Sequence, residues 1–227
     1  MSVAGLRRGR SPGRGAPGRR RVPRAEREPQ MVSAAMRVFA ERGFHGASMD
    51  EIAELAGITK PMLYSYFGSK EALFVRCQRD SGEQLRRILA EAGRTRDLPP
   101  AERLWRALVG VFDFIDEHRD GWTVYHAVTP ASGGPIEASA AHARDEFGDL
   151  VAELLSTNAA EQGMSPELQA HVPALAHALT GATISVSVWW LRHPEEPKEL
   201  QALRVMNFAW MGFGDLLEGR LFLPSAS

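Results

Sequence analysis

Residues 48–74 read SMDEIAELAGITKPMLYSYFGSKEALF, a stretch with three helix starts and two glycine stops. Ser48 with Glu51 three residues on has the form of a capping box, and Ile52, Leu55 and Ala56 give the helix it opens an apolar stripe. Gly57 is placed to end that helix, because the residue after a helix often takes left-handed backbone. Thr59 is positioned to cap a second helix, Pro61 falls in its first turn where a missing N–H costs little, and Leu63 and Phe67 bury it at i,i+4. Gly68 stops this helix in turn, and Ser69 caps a third that runs into Ala72, Leu73 and Phe74. Two short helices joined by a glycine turn imply a helix-turn-helix, whose second helix enters the DNA major groove. The outward residues of that helix are Thr59, Lys60, Met62, Tyr64 and Tyr66.

This order of residues resembles the tetracycline-repressor-like (TetR) family of bacterial transcription regulators, whose pattern runs roughly T-x-x-x-I-A-x-x-A-G-V-[ST]-x-G-x-[LIF]-Y-x-[HY]-F-x-[SN]-K-[ED]-x-L. The likeness covers residues 30–74. It departs at Ser48 for threonine, at Ile58 for valine, and at Pro61-Met62, where many members carry glycine and a small polar residue. The resemblance implies a DNA-facing set of Ser48, Thr59, Lys60, Pro61, Met62, Tyr64, Tyr66 and Lys70, with Tyr66 and Lys70 at positions that touch phosphates. Lys60 is the expected base reader. Met62 has no donor, so reading there is limited to apolar contact such as a thymine methyl.

The rest of the chain is read as all-α. A helix over residues 25–42 carries Val32, Ala35, Met36, Phe39 and Ala40 on one face and ends at Gly43. Beyond the head, apolar sets at helical spacing recur as Leu104, Leu108, Val111, Phe112 and Ile115, and as Phe147, Leu150, Val151, Leu154 and Leu155, with no strand pattern of comparable strength. The expected layout is a basic arm over residues 1–24, a DNA-binding head over 25–78, a ligand-binding and dimerisation domain over 79–221, and a tail over 222–227. The last two helices are long and apolar. By resemblance they form a four-helix bundle with their copies in a second subunit, through Leu179, Val186, Trp190, Leu203, Met206, Trp210, Phe213 and Leu217.

Resemblance also implies a homodimeric repressor, released from a palindromic DNA operator when a small apolar or aromatic effector binds the second domain. Trp105, Phe112, Trp122, Tyr125, His126, Phe147 and Trp189 are the candidates to line that pocket. A constitutive regulator or an activator that senses nothing is the alternative. An enzyme is not expected. His118, His126 and His142 lie near Asp113, Asp116, Glu117 and Asp145 in the sequence, but no set has metal or triad spacing, and no catalytic residue, metal or cofactor is expected.

Composition constrains the setting. Hydrophobic residues make up 44% of 227, enough for a core, and no unbroken run of 18 apolar residues or secretory leader occurs, so a cytoplasmic protein without membrane contact is expected. The single cysteine, Cys77, has no internal disulfide partner and is expected to be a buried small apolar group. Charge is unevenly spread. Residues 1–29 hold nine arginines against Glu26 and Glu28, a net +7, while the whole chain sits at −1, which leaves −8 for the remainder. The Arg-, Gly- and Pro-rich start is expected to be disordered when free, as either an arm along the duplex or a dispensable leader.

Overall fold

A computed structural model describes residues 24–95, 97–126, 135–161 and 163–217, and every regular element in them is a helix. These are α1 (Arg24–Gly46), α2 (Met49–Leu55), α3 (Lys60–Phe67), α4 (Lys70–Arg94), α5 (Pro100–Glu117), α6 (Arg119–Tyr125), α7 (Pro135–Glu161), α8 (Pro166–Gln169), α9 (Val172–Trp190) and α10 (Lys198–Leu217). The expected tail and nearly all of the expected basic arm lie outside the described residues.

The head forms as its sequence predicts, with two local differences. α1 breaks at Gly43 (φ 68°, ψ 170°), and Gly57 (φ 65°) and Gly68 (φ 78°) close α2 and α3 with the backbone that glycine adopts at least cost. Ser48 Oγ accepts the Asp50 N–H at 3.1 Å, but Glu51 turns to Arg42 instead of completing a capping box. Thr59 makes no side-chain cap, because Pro61 sits where one of the N–H groups it would bind should be. An aromatic trio centres the head core. Phe74 meets Phe39 and Phe44 edge-on at 5.0 and 5.3 Å between ring centroids, beside buried Ile52, Leu63 and Leu73. Cys77 is fully buried there, and desolvation pushes its thiol up to about 12, so it behaves as a small apolar group.

α4 joins this head to the rest of the chain. Its first turns supply Leu73, Phe74 and Cys77 to the head core, and its later turns supply Leu85, Leu89 and Ala92 to a second core built with α5, α6, α7, α9 and α10. α6 also belongs to both: Val124 packs in the head core, Trp122 and Tyr125 in the body core. The α4–α6 crossing is tight. A Cβ added at Gly82 would lie 2.9 Å from Tyr125 Cε2, and that ring is held because its hydroxyl donates to the Ala143 carbonyl at 2.8 Å. Gly82→Val is therefore expected to destabilise the protein by roughly 1–3 kcal/mol and lower Tm by several degrees. An unchanged thermal unfolding curve would mean that α6 is not clamped on α4.

The phase of α9 corrects two expectations. α9 buries Val172, Ala176, Leu179, Thr180, Thr183, Ser187 and Trp190, so Leu179 and Trp190 belong to the body core and not to an outer interface. Trp189, expected in a pocket, lies on the surface, 40% exposed and stacked on His193 at 4.1 Å with Arg204 over its ring. Successive helical residues point about 100° apart, and Trp190 takes the inward place by meeting Phe112 edge-on and donating to the Glu196 carbonyl at 2.8 Å. Val186 and Met206 are half-buried, Leu203 and Trp210 are exposed, and the side chains of Phe213 and Leu217 lie outside the described residues.

By length and composition, residues Pro166–Trp190 would pass for a membrane span, with an 18-residue window of mean hydropathy 1.3, one third of it buried in the body. An expectation based on unbroken apolar runs misses this, because Thr180, Thr183, Ser185 and Ser187 interrupt the run.

Candidate functional site

The outer face of the head is carried by α3, where Leu63 alone is fully buried. Thr59, Lys60, Pro61 and Tyr64 are exposed, and Met62 and Tyr66 are half-buried. Lys60 is held in place: its ammonium donates to Asp50 on α2 at 2.8 Å, and that hydrogen bond, with the Asp50 charge, raises its pKa above the usual lysine value. Lys60 must leave or share Asp50 to touch a base. Lys70 has a different position. Its ammonium donates to the Ala47 carbonyl at 2.8 Å and lies 4.6 Å over the Phe44 ring, fastening the segment that leads into α2. The Ser48 hydroxyl is likewise engaged, by the α2 backbone. Arg27 of α1 reaches Met62, with Nη1 3.9 Å from Sδ, a contact to the reading helix that spacing alone did not reveal.

The body core holds five of the seven pocket candidates together. Phe112, Trp122, Tyr125, His126 and Phe147 share one buried region, while Trp105 packs half-buried at its edge and Trp189 faces outward. Trp122 donates from Nε1 to Ser187 Oγ at 2.9 Å and meets His126 at 3.9 Å between ring centroids. His126 also faces Tyr125 at 4.8 Å and Phe147 at 6.1 Å. Burial pushes its pKa down to about 3, so the imidazole is neutral near pH 7. An apolar slot of about 20 Å³ lies between α4, α5, α7 and α9, lined by Leu108, Val111, Phe147, Val151 and Thr180 among others. A groove of about 290 Å³ between α4 and α7, with Arg86, Arg94 and Glu153 on its walls, shares Leu89 and Leu154 with that slot. Those two leucines line both the groove and the slot. Three hydroxyls on α9, those of Thr180, Thr183 and Ser187, were not among the expected site residues. Their spacing places them on one helical face, a polar signal inside an apolar pattern.

The other histidines lie elsewhere. His118 and His142 are exposed, and among the described residues no three His, Cys, Asp or Glu side chains converge as a metal site would require.

Known proteins share this architecture. Residues 31–77 match the family described as bacterial regulatory proteins, tetR family, and residues 100–212 match the tetracyclin repressor-like C-terminal domain. The HTH-type transcriptional activator FasR of Mycolicibacterium smegmatis is 31% identical over 194 residues, 85% of each chain. A TetR-like transcriptional regulator from Rhodococcus sp. RHA1 is 37% identical, superposes with a TM-score of 0.69, and is matched over 86% of this chain and 99% of its own. The regulator FadR of Bacillus subtilis, solved in complex with stearoyl-CoA, is similar in fold at a TM-score of 0.67 and 18% identity, over 80% of this chain and 97% of its own. With a reading head and a helical body both matched along most of their length, the chain belongs to the TetR family of DNA-binding transcription regulators.

Proposed function

We propose that the chain acts as a homodimer on a palindromic operator in the cytoplasm, and that an apolar effector entering the body releases it. The observation that carries this reading is the double membership of α4, which supplies Leu73, Phe74 and Cys77 to the head and also walls the slot and groove with Leu89. A slot of about 20 Å³ has room for little more than one water molecule. An effector therefore requires Leu89 and Leu154 to part and α4 to move against α7. That supplies what an effector must have, a preference for one conformation over the other, since equal affinity for both shifts nothing. The groove, which shares Leu89 and Leu154 with the slot, suits an acyl or aromatic skeleton, and the FadR neighbour was solved with an acyl ligand, stearoyl-CoA.

Two heads related by a two-fold axis place their α3 helices in successive major grooves, about 34–36 Å apart. Operator occupancy is proposed to repress. A second reading, activation, is favoured by the name of the FasR relative, which covers most of the chain. Both readings require a two-fold symmetric site. Selection from random DNA, followed by footprinting, should return an inverted repeat whose occupancy falls when the effector is added.

Within the head, Tyr64→Ala is expected to weaken operator binding by about several-fold to a hundredfold, the cost of one or two lost contacts. Lys60→Ala should instead change the preferred base at one position of each half-site. An unchanged consensus in the same selection would leave Lys60 as a partner of Asp50 only. Tyr66 and Lys70 are proposed phosphate contacts, so their loss should lower affinity on any sequence.

A further inference from the structure

α9 turns three hydroxyls into the body core, and two of them are used in the ordinary way. Thr183 Oγ1 donates back to the Leu179 carbonyl at 2.9 Å, and Ser187 Oγ donates to the Ile184 carbonyl at 2.7 Å while accepting the Trp122 indole. Thr180 differs. It is 5% exposed, its Oγ1 meets no hydrogen-bond partner, and it lines the slot beside Leu108, Phe147 and Leu154. A second unpartnered group stands against the same Phe147 ring: His126 is 9% exposed, and neither ring nitrogen has a partner. Leaving such groups unpaired costs stability, and a valine at 180 would fill the same volume without that cost. The side chains lining the slot are uncharged, so an ionised group entering it would be stripped of water with no counter-charge.

We infer that the natural effector is an apolar molecule carrying an uncharged hydrogen-bonding group, a hydroxyl or carbonyl, at the end that enters the core, and that Thr180 Oγ1 receives that group. The inference rests on the proposed effector seat in the body and adds its chemical class. A plain saturated chain fills the slot but leaves Thr180 unpaired. An oxygenated one satisfies it, and discrimination arises because a site built to hydrogen-bond a ligand penalises the analogue that lacks the group.

The test uses the full chain and a matched pair of probes, benzyl alcohol and ethylbenzene, which have the same number of non-hydrogen atoms and differ in a hydroxyl against a methyl. Affinities are measured by titration calorimetry on the wild type, Thr180→Val and Thr180→Ser. Ethylbenzene is the more hydrophobic probe, so the informative quantity is the ratio of the two affinities and its change between proteins. Thr180→Val is expected to bind ethylbenzene at least as well as the wild type and to lower the alcohol-to-hydrocarbon ratio by about five- to tenfold, the worth of one hydrogen bond. Thr180→Ser keeps the hydroxyl and should restore most of the ratio. Both variants should fold, with Thr180→Val melting at or above the wild-type temperature. Equal ratios in the wild type and Thr180→Val overturn the inference while leaving the body as an effector seat. Failure of both probes to bind the wild type overturns the seat itself, and the inference with it.

Discussion

Phe208→Glu is expected to convert the protein from a dimer to a monomer in sedimentation, and to remove operator binding at concentrations where the wild type is saturated. Phe208 is 66% exposed on α10, with Leu203 and Trp210 exposed on the same helix and Val188 and Trp189 on α9. Single exposed apolar residues are ordinary, but large apolar side chains left exposed along both of the last two helices, with Phe208 about 150° around α10 from Leu203 and Trp210, mark a helix pair that another molecule covers. A second copy is the proposed occupant, because a palindromic operator needs two heads and a two-fold axis matches this face with itself. Glutamate at 208 would bury an unpaired charge in that interface, a cost of roughly 3–5 kcal/mol, or about two to four orders of magnitude in the dimer dissociation constant. The fold of the single subunit should not suffer, since the Phe208 side chain is mostly outside its core. A normal circular dichroism spectrum with a monomeric sedimentation profile is therefore the expected pair of observations. A stable Phe208→Glu dimer would move the interface off this face.

The head was legible because its signals are local. Gly57 and Gly68 have the positive φ that their place after a helix demands, Leu63 and Phe74 are buried, and Ser69 caps α4 by accepting the Ala72 N–H at 3.0 Å. Each of these depends on neighbours a few residues away. The body was legible as helices but not as faces. Trp189 and Trp190 are both apolar and adjacent, and which one turns inward is decided by Phe112 on α5 and the carbonyl of Glu196, contacts that no periodicity encodes. Leu179 fell to the wrong side for the same reason. Lys60 shows a third limit. Its outward position was readable from α3 alone, whereas its tie to Asp50 needed the angle between α2 and α3. Thr180, Thr183 and Ser187 were visible as polar breaks in an apolar helix, but nothing in the spacing separates Thr180, which has no partner, from Thr183, which bonds its own helix.

Removing residues 1–21 is expected to flatten the salt dependence of operator binding more than any single substitution in the head. The segment holds seven arginines and no acidic residue. It leads into α1, whose first described residue is Arg24, and Arg27 reaches Met62 on the reading helix, so the chain arrives at the head next to α3. Arginines joined to the chain at that point are proposed to contact the phosphates flanking the half-site. Each neutralised phosphate adds about 0.9 to the slope of log affinity against log salt. If about two or three arginines engage per subunit, the slope falls by roughly 4 to 5 for a dimer. Between about 50 and 200 mM salt, the full chain should then lose roughly two to three orders of magnitude more affinity than the shortened one. Folding should be unaffected, because α1 and the whole head core remain. The selected operator should keep its consensus, since backbone contacts carry no direct sequence information and α3 is untouched. Fluorescence anisotropy on one operator across a salt series reads the two slopes directly. Equal slopes would make the basic segment a solvated leader, and operator affinity would then rest on the nearly balanced charge of the head and on the placement of its side chains.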